Sequence, residues 1–292
     1  MNKSNFKSNI KIWAATILCM LVLTYGSSQS KSPKSEFREL FNGKDLTGWY
    51  TYQRKPEPTS RVEGLKMENG AYVEPIGLHK DPLRVFTVVE NNGEKVIRIS
   101  GETFGILATD QAFENYHLIL EFKWGEKIYP PREGRKRDSG ILYHSFGKEG
   151  SRGGVWMNSV ECQIQEGDTG DLWCVEGTTV QVNMTKDENG KPKYDPSGSP
   201  ETFDSHDMRY CQKSADFEKP NGEWNTVEIY AFGDESIHVV NGRKNMHLKS
   251  IRYFVNDKPA PLTNGKIQLQ SEGAEVFFRN IRIRPINEIP KL

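Results

Sequence analysis

Residues 137–166 read RDSGILYHSFGKEGSRGGVWMNSVECQIQE, and this stretch gives the strongest indication of the fold. It predicts two strands joined by a glycine-rich loop. The second strand alternates apolar and polar residues in the order Val160, Glu161, Cys162, Gln163, Ile164 and Gln165. Because successive side chains of a strand point to opposite faces, one face is apolar and the other carries a carboxylate and two amides. The stretch therefore predicts a sheet with one buried face and one polar working face.

The same alternation recurs along most of the remaining chain. Apolar residues alternate with polar ones over residues 116–124, 227–231 and 267–270, and turn pairs such as Asn241-Gly242 separate the segments. After residue 36, no window of 12 residues has a convincing helical period of apolar positions. Short, turn-separated, alternating segments predict an all-β fold, an antiparallel jelly-roll sandwich.

The N-terminal region has the layout of a secretory signal peptide. Lysines precede an apolar run over residues 12–23, and small residues follow that run. We therefore predict a signal peptide over residues 1–26, a polar tether over 27–36 and a single β-sandwich domain over 37–292. The apolar run is shorter than the roughly 20 residues that a membrane span needs. The expected location is outside the cytoplasm, in the periplasm or at the cell surface.

A lipid anchor at Cys19 is less favoured, because the bulky Ile17 and Leu18 precede it where a lipoprotein signal has small residues. Signal cleavage would leave Cys162, Cys174 and Cys211. Three cysteines allow at most one disulfide, and the sequence does not specify which pair forms it. Their spacing matches no zinc motif, and the alternation around Cys162 predicts a buried structural thiol.

Composition and motifs exclude several classes of function. The formal net charge is +0, without long runs of one sign, so neither nucleic acid nor an anionic membrane surface has electrostatic support as a partner. The chain lacks GxSxG, HExxH, a phosphate loop and a dinucleotide fingerprint. Serine hydrolases, zinc proteases, nucleotide enzymes and dehydrogenases therefore lose their usual support.

Six local motifs occur together and in order. They are FRELFNGKDLTGW (37–49), GILAT (105–109), RDSGI (137–141), VECQI (160–164), GEWN (222–225) and LQ…VFFRNIRI (269–283). Together they resemble the 3-keto-disaccharide hydrolase domain family over residues 37–286. The resemblance implies a concanavalin-like jelly roll and an exported bacterial protein that acts on sugars oxidised at C3. Two positions depart from the family pattern: Asp138 stands where Asn is frequent, and Gln165 follows the acid–amide motif where Asp is usual.

A 3-keto-glycoside needs less catalytic machinery than an ordinary glycoside. The ketone acidifies the hydrogen at C2, so a base can remove it, the C1 substituent can leave, and water can add to the enone. This route needs a base, a group that stabilises the enolate and help for the leaving group. Glu161 is the first candidate for the base or a metal ligand. Asp138 is either a second acid or a turn residue, and Arg137 is a candidate partner for the ketone or enolate oxygen.

His144 follows Asp138 by six residues, so a regular strand places both on one face. It is a candidate acid/base or metal ligand, with a structural histidine as the alternative. Further substrate-binding candidates are amides and a ring that could stack on sugar: Gln163, Gln268, Gln270 and Trp156, with Trp173 as another stacking candidate. No cofactor is firmly indicated; a divalent cation such as Ca²⁺, held by loop aspartates and carbonyls, stays open.

Three functions remain. The first is an exported carbohydrate-active hydrolase or lyase acting on glycosides, above all 3-keto-glycosides. The second is a non-catalytic glycan-binding sandwich. The third is an ordinary glycosidase whose paired carboxyl groups lie about 5–5.5 Å apart for retention or about 6.5–9.5 Å apart for inversion. An enzyme requires Asp138 or His144 near Glu161, whereas a lectin can bind with amides and aromatic rings alone.

Overall fold

The computed structural model describes residues 36–292, so the predicted signal peptide and nearly all of the predicted tether lie outside the described residues. Residues 36–292 form strands and no helix, and hence no helix that could cross a membrane. The strands are β1 Arg38–Glu39, β2 Trp49–Gln53, β3 Met67–Glu68, β4 Ala71–Tyr72, β5 Gly77–Leu78, β6 Phe86–Asn91, β7 Glu94–Ile99, β8 Gly105–Thr109, β9 Phe113–Glu114, β10 Tyr116–Ile128, β11 Asp138–Phe146, β12 Asn158–Gln165, β13 Leu172–Val175, β14 Thr178–Lys186, β15 Pro192–Tyr194, β16 Ser199–Asp204, β17 Tyr210–Cys211, β18 Asn225–Phe232, β19 Glu235–Val240, β20 Arg243–Val255, β21 Lys258–Pro261, β22 Asn264–Ser271 and β23 Ala274–Pro285.

Two large antiparallel sheets contain all of these strands except the β3–β4 hairpin. The sheet that we call the front sheet has the order β17-β13-β12-β11-β22-β8-β2-β5, with β9 paired to β22. The sheet that we call the back sheet has the order β15-β14-β20-β19-β18-β10-β23-β7-β6, with β1, β16 and β21 paired to its members. Many neighbours in each sheet are distant in sequence, as a jelly roll requires.

One hydrophobic core lies between the two sheets. Leu118 and Leu120 of β10 belong to the same buried cluster as Ile141 of β11, and Cys162 and Ile164 of β12. Burying an aliphatic side chain of this size contributes about 1.5–3 kcal/mol, so the alternating pattern supplies the main stabilisation of the sandwich. The predicted all-β antiparallel jelly-roll sandwich is therefore confirmed.

The three cysteines of the described region are free and buried. Burial raises the pKa of each thiol, that of Cys211 to about 12, so all three stay protonated at neutral pH. The prediction of a buried structural thiol at Cys162 is confirmed, and no disulfide joins any pair among residues 36–292.

A β-bulge interrupts β11 after Tyr143. The register against β12 shifts between Tyr143 and Phe146, and His144 has a positive φ of 51°. A bulge breaks the alternation of faces, so the His144 ring turns inward and lies 5.8 Å from the ring centre of Tyr116 in the back sheet. The expectation that His144 shares a face with Asp138 is therefore wrong. Burial also lowers the pKa of His144 to about 3, which keeps the imidazole neutral.

Candidate active site

Two rows of side chains cross the outer face of the front sheet, roughly at right angles to its strands. Residues directly opposite each other in adjacent strands point to the same face and contact one another. Row one runs Trp173, Glu161, Leu142, Gln268, Ala108 and Tyr50. Row two runs Gln163, Gly140, Gln270, Ile106 and Tyr52. Each row has polar groups at its centre and a tyrosine at the β2 end.

Gly140 allows side chains from two neighbouring strands to meet above β11. A Cβ atom at this position would collide with Oε1 of Glu161 and would lie 2.6 Å from Oε1 of Gln270. Glu161 comes from β12 and Gln270 from β22, and β11 separates these two strands. The glycine of the RDSGI motif therefore leaves the space in which the Glu161 carboxyl group and the Gln270 amide interact.

The carboxyl group of Glu161 is poised for proton transfer. The residue is only 6% exposed, and burial, with the nearby charge of Glu272, raises its pKa to about 8. Arg209, the Gln270 amide and Arg132 oppose this shift. Burial disfavours the charged form of an acid, and a group whose pKa lies near the working pH is an effective general acid or base.

A second carboxyl group, that of Asp138, lies in the same electrostatic environment. Arg132 forms ion pairs with both Asp138 and Glu272, and the Gln165 amide donates to Oδ2 of Asp138 at 2.7 Å. Burial and the neighbouring Glu272 nevertheless raise the pKa of Asp138, and the charge of Glu161 adds to the effect. Like charges disfavour one another's ionised forms, and with the pKa of Glu161 at about 8 this group of carboxyls holds a proton at neutral pH.

Several buried polar atoms of the site have no hydrogen-bond partner among the described residues. They are both amide atoms of Gln268, Oε1 of Gln270 and Oδ1 of Asp138. An unpaired buried polar group costs about 1–3 kcal/mol, so a concentration of them on one face is unusual for a purely structural surface. Sugar hydroxyls both donate and accept, and are suited to such groups.

The structure brings some predicted residues together and separates others. Glu161, Asp138, Gln268 and Gln270 converge, and Gln163 lies beside Gly140, although its amide oxygen accepts a hydrogen bond from the Ile164 N–H at 3.0 Å. His144 packs into the core instead. These positions leave the catalytic and binding roles themselves as predictions.

Arg137 is engaged outside the two rows. Its Nε donates to the Gly125 carbonyl at 3.2 Å, and its Nη1 donates to Glu166 at 3.1 Å. Arg209 also interacts electrostatically with Glu161, and it forms no ion pair among residues 36–292. Its guanidinium carbon lies 4.9 Å from the ring centre of Trp173. Its Nε is buried without a hydrogen-bond partner in the described chain.

Aromatic rings flank the polar centre at both ends. Trp173 lies next to Glu161 at the β13 end of row one, and its ring centre lies 4.7 Å from that of Tyr210. At the opposite end, Trp156 stacks on Phe104 at 6.4 Å and belongs to a small apolar cluster that includes Tyr50. Both tryptophans are half-buried. Aromatic rings that bind a ligand on one face are half-buried in the same way.

Sequence reasoning missed three charged members of the site: Arg132, Glu272 and Arg209. Glu272 follows Gln268 and Gln270 at the same two-residue interval, which was an available signal. Arg132 and Arg209 lie outside the strands, so no periodicity marks them. No three His, Cys, Asp or Glu side chains among residues 36–292 form a group able to hold a metal ion, and the divalent cation stays a prediction.

The profile of the 3-keto-alpha-glucoside-1,2-lyase-like domain family matches residues 36–284. This chain belongs to that family, which confirms the resemblance found in the six motifs and supports a carbohydrate-active role. No curated protein matches the chain.

Several solved structures are distantly similar to this chain. A protein of Parabacteroides distasonis ATCC 8503, described as a "putative glycosyl hydrolase", is 20% identical, with coverage of 86% of this chain and 94% of its own and a TM-score of 0.45. Another protein of that organism with the same description is 19% identical, covering 86% and 100%, with a TM-score of 0.44. The carbohydrate binding module CBM66 from Bacillus subtilis is 10% identical, covering 67% and 89%, with a TM-score of 0.40. Similarities this distant carry no argument about function.

Proposed function

We propose that this protein cleaves 3-keto-glycosides, with Glu161 as the base that removes the proton at C2. The observation that carries the proposal is the buried Glu161 carboxyl group, which has a pKa of about 8 and lies beside Gln270 in the gap above Gly140. At pH 7 roughly one tenth of such groups are ionised, which is sufficient for a base that regains its proton in each cycle.

The reaction proceeds by elimination followed by hydration. The Glu161 carboxylate takes the C2 proton, and the electron pair of that C–H bond forms the enolate of the C3 ketone. The enolate expels the C1 oxygen together with its bonding electrons, and a proton from the carboxyl cluster converts it to an alcohol. Water then adds across the C1–C2 double bond of the enone. The net products equal those of hydrolysis.

Arg209 is our candidate for stabilising the enolate. A fixed cation in a site of low dielectric lowers the energy of a developing negative charge, and hydrogen bonds aimed at the oxygen strengthen the effect. Arg209 interacts with Glu161, and its buried Nε lacks a partner among the described residues. The Gln268 and Gln270 amides are our candidates for binding hydroxyls of the sugar ring and so fixing C2 against the base.

A glycan-binding sandwich without catalysis is the second candidate function. The half-buried rings of Trp173 and Tyr210 at one end of row one favour it, because aromatic faces bind sugar rings in lectins and enzymes alike. Raised carboxyl pKa values contribute nothing to such binding, so the two functions differ in their dependence on Glu161.

The test is turnover of a 3-keto-glucoside and its unoxidised parent by the wild-type protein, Glu161→Gln and Glu275→Gln, each with and without chelator. Glu275 is a matched control, because it is 7% exposed and lies in β23 of the back sheet. We expect release of the C1 substituent from the keto form alone, lost in Glu161→Gln and kept in Glu275→Gln.

Binding of both sugars without turnover would instead indicate the glycan-binding function. Equal cleavage of the parent glycoside would indicate an ordinary glycosidase with Asp138 and Glu161 as its carboxyl pair. Loss of turnover on chelation, with recovery on adding a single divalent cation, would establish a metal requirement.

A further inference from the structure

Arg209 is held beside Glu161 by an aromatic ring and not by a carboxylate. Its guanidinium carbon lies 4.9 Å from the ring centre of Trp173, and Trp173 lies opposite Glu161 in the adjacent strand. The Glu176 carboxylate interacts electrostatically with Arg209, but it forms its ion pair with Arg152, at 3.4 Å. The Trp173 ring, and not an acidic side chain, is thus the partner of the Arg209 guanidinium in the described part of the chain.

The neighbouring strand β17 supports Trp173 in turn. Tyr210 lies opposite Trp173, and the two ring centres are 4.7 Å apart. The Tyr210 hydroxyl donates to Oδ2 of Asp171 at 2.5 Å, and Oδ1 of Asp171 accepts the Lys213 backbone N–H at 2.9 Å. Asp171 is buried, so its carboxyl group is a fixed anchor. A series of contacts therefore runs from Asp171 through the two rings to Arg209.

The partner of an arginine decides how much of its charge acts on the surroundings. A carboxylate cancels much of the field of a cation, whereas an aromatic ring attracts the cation through its quadrupole and carries no net charge. Arg132 is an example of the first kind, because it forms ion pairs with Asp138 and Glu272. Arg209 is of the second kind, so its charge remains available in the space beside Glu161.

We propose that Trp173 and Tyr210 are positioning residues, which hold the Arg209 guanidinium beside Glu161 with its charge uncompensated so that it stabilises the enolate oxygen. The inference rests on the proposed cleavage of 3-keto-glycosides and gives the two rings a task other than stacking on sugar. A ring that only stacks on sugar contributes to substrate binding. A positioning ring instead contributes to the step in which the enolate forms, because a preorganised cation acts on the developing charge.

The same placement of Arg209 affects the proton affinity of Glu161. The charged and titratable groups that interact with Glu161 are Glu272, Arg209, Arg132, Asp138 and Cys162. Those that interact with Arg209 are Arg152, Glu161, Cys174 and Glu176. Burial and Glu272 raise the pKa of Glu161, and the positive charge of Arg209 opposes them. Displacing Arg209 should therefore raise the Glu161 pKa further.

The test is a double-mutant cycle with wild-type protein, Trp173→Leu, Arg209→Gln and the double variant. Steady-state kinetics with a 3-keto-glucoside give kcat and KM. NMR titration of isotopically labelled glutamate carboxyl groups gives the pKa of Glu161, whose signal is assigned by its loss in Glu161→Gln. The cycle is needed because Trp173→Leu also admits water to Glu161, and this direct effect is the same with and without the Arg209 charge.

We expect Trp173→Leu to lower kcat about fivefold with little change in KM, because it removes the cation–π contact that holds Arg209. The double variant should have the kcat of Arg209→Gln alone, since Trp173 acts through Arg209. The change in the Glu161 pKa on Trp173→Leu should be more positive when Arg209 is present than in the Arg209→Gln background. Trp173→Phe retains a ring and should recover most of kcat.

Trp224→Leu is the matched control on the back sheet. Trp224 also lies beside a guanidinium, that of Arg279 at 4.0 Å, but Arg279 forms ion pairs with Glu121 and Glu94 as well. This variant should leave kcat and the Glu161 pKa unchanged. Trp173→Met replaces Trp173→Leu if the leucine variant has a lowered melting temperature, and the same results are expected of it.

Equal effects of Trp173→Leu with and without Arg209 would overturn the proposal. A raised KM with unchanged kcat would also overturn it and would assign the Trp173 ring to sugar binding. Coupling of Trp173 and Arg209 in the Glu161 pKa, without turnover of any keto-glycoside, would reject the proposed function and retain the positioning role. Turnover that depends on Glu161 but shows no such coupling would do the reverse.

Discussion

The outer faces of the two sheets contain similar residues in different electrostatic states. On the back sheet, charges neutralise one another: Arg98 pairs with Glu275 at 2.7 Å, and Arg279 with Glu121 at 2.7 Å. On the front sheet, the pKa of the Glu161 carboxyl group is raised. The comparison shows that a strand with an alternating polar face becomes a candidate site only where its polar groups remain uncompensated.

Each outer face has a glycine that makes room for a glutamate side chain, but the two glutamates differ in their partners. At Gly140 an added Cβ would collide with Glu161, and at Gly125 in β10 it would collide with Glu275. In both places the glycine allows a glutamate from an adjacent strand to lie across it. The front glutamate interacts with an amide, whereas the back glutamate pairs with Arg98. The glycine–glutamate arrangement is thus structural by itself, and the surrounding charges decide whether it can do chemistry.

The largest expected effect comes from removing the front carboxyl group. Glu161→Gln should lower kcat/KM for a 3-keto-glucoside by about 10²–10⁴-fold, because it removes the general base while keeping the size of the side chain.

In the wild type, kcat/KM should rise with pH and level off above the Glu161 pKa of about 8, because the ionised form is the active one. A profile that falls through pH 8 would assign Glu161 as the acid instead.

Gly140→Ala should cause the next largest loss. Its Cβ displaces Glu161 and Gln270, so we expect about a hundredfold decrease in kcat/KM and a stability loss of about 1–3 kcal/mol from overpacking. Gly125→Ala is the matched control, since it displaces Glu275 and should lose similar stability with unchanged turnover. Equal activity losses in the two variants would show that Gly140 contributes only to folding.

Arg209→Gln should lower kcat about tenfold or more, because a cation near the developing enolate is lost. Arg137→Gln should change kcat less than about twofold, because its partners are the Gly125 carbonyl and Glu166, outside the two rows. The comparison is made by steady-state kinetics at saturating substrate. A larger loss at Arg137 than at Arg209 would restore Arg137 as the candidate for binding the enolate oxygen.

Arg209 and Arg132, which the sequence did not identify, show how far prediction from the sequence extends. The alternation in β12 correctly predicts the faces of Glu161 and Cys162, because a regular strand has a period of two. The same rule is wrong at His144, because a bulge inserts an irregular residue whose position the local sequence does not reveal. Arg209 and Arg132 reach the site from loops, whose paths depend on tertiary contacts and not on periodicity.

The smallest expected effect is a change in the free energy of unfolding. At pH 8 its sign should differ between Glu161→Gln on the front sheet and Glu228→Gln on the back sheet. Burial raises the pKa of Glu161, so its contribution to stability is full below pH 4.5, the unfolded value, and is lost as the pH rises to about 8. Glu161→Gln should therefore be more stable than the wild type at pH 8, by on the order of 1 kcal/mol.

Glu228 of the back sheet should behave in the opposite way. Its hydrogen bond with His117 lowers its pKa, so its contribution is present above pH 4.5 and is lost as the pH falls. Glu228→Gln should lose on the order of 1 kcal/mol at pH 8, because the neutral amide makes a weaker hydrogen bond with His117 than the carboxylate does. Urea unfolding of both variants at pH 5 and pH 8 measures the difference. If Glu161→Gln were destabilised at pH 8 as Glu228→Gln is, the front carboxylate would be compensated like the charges of the back sheet, and the contrast between the faces would fail.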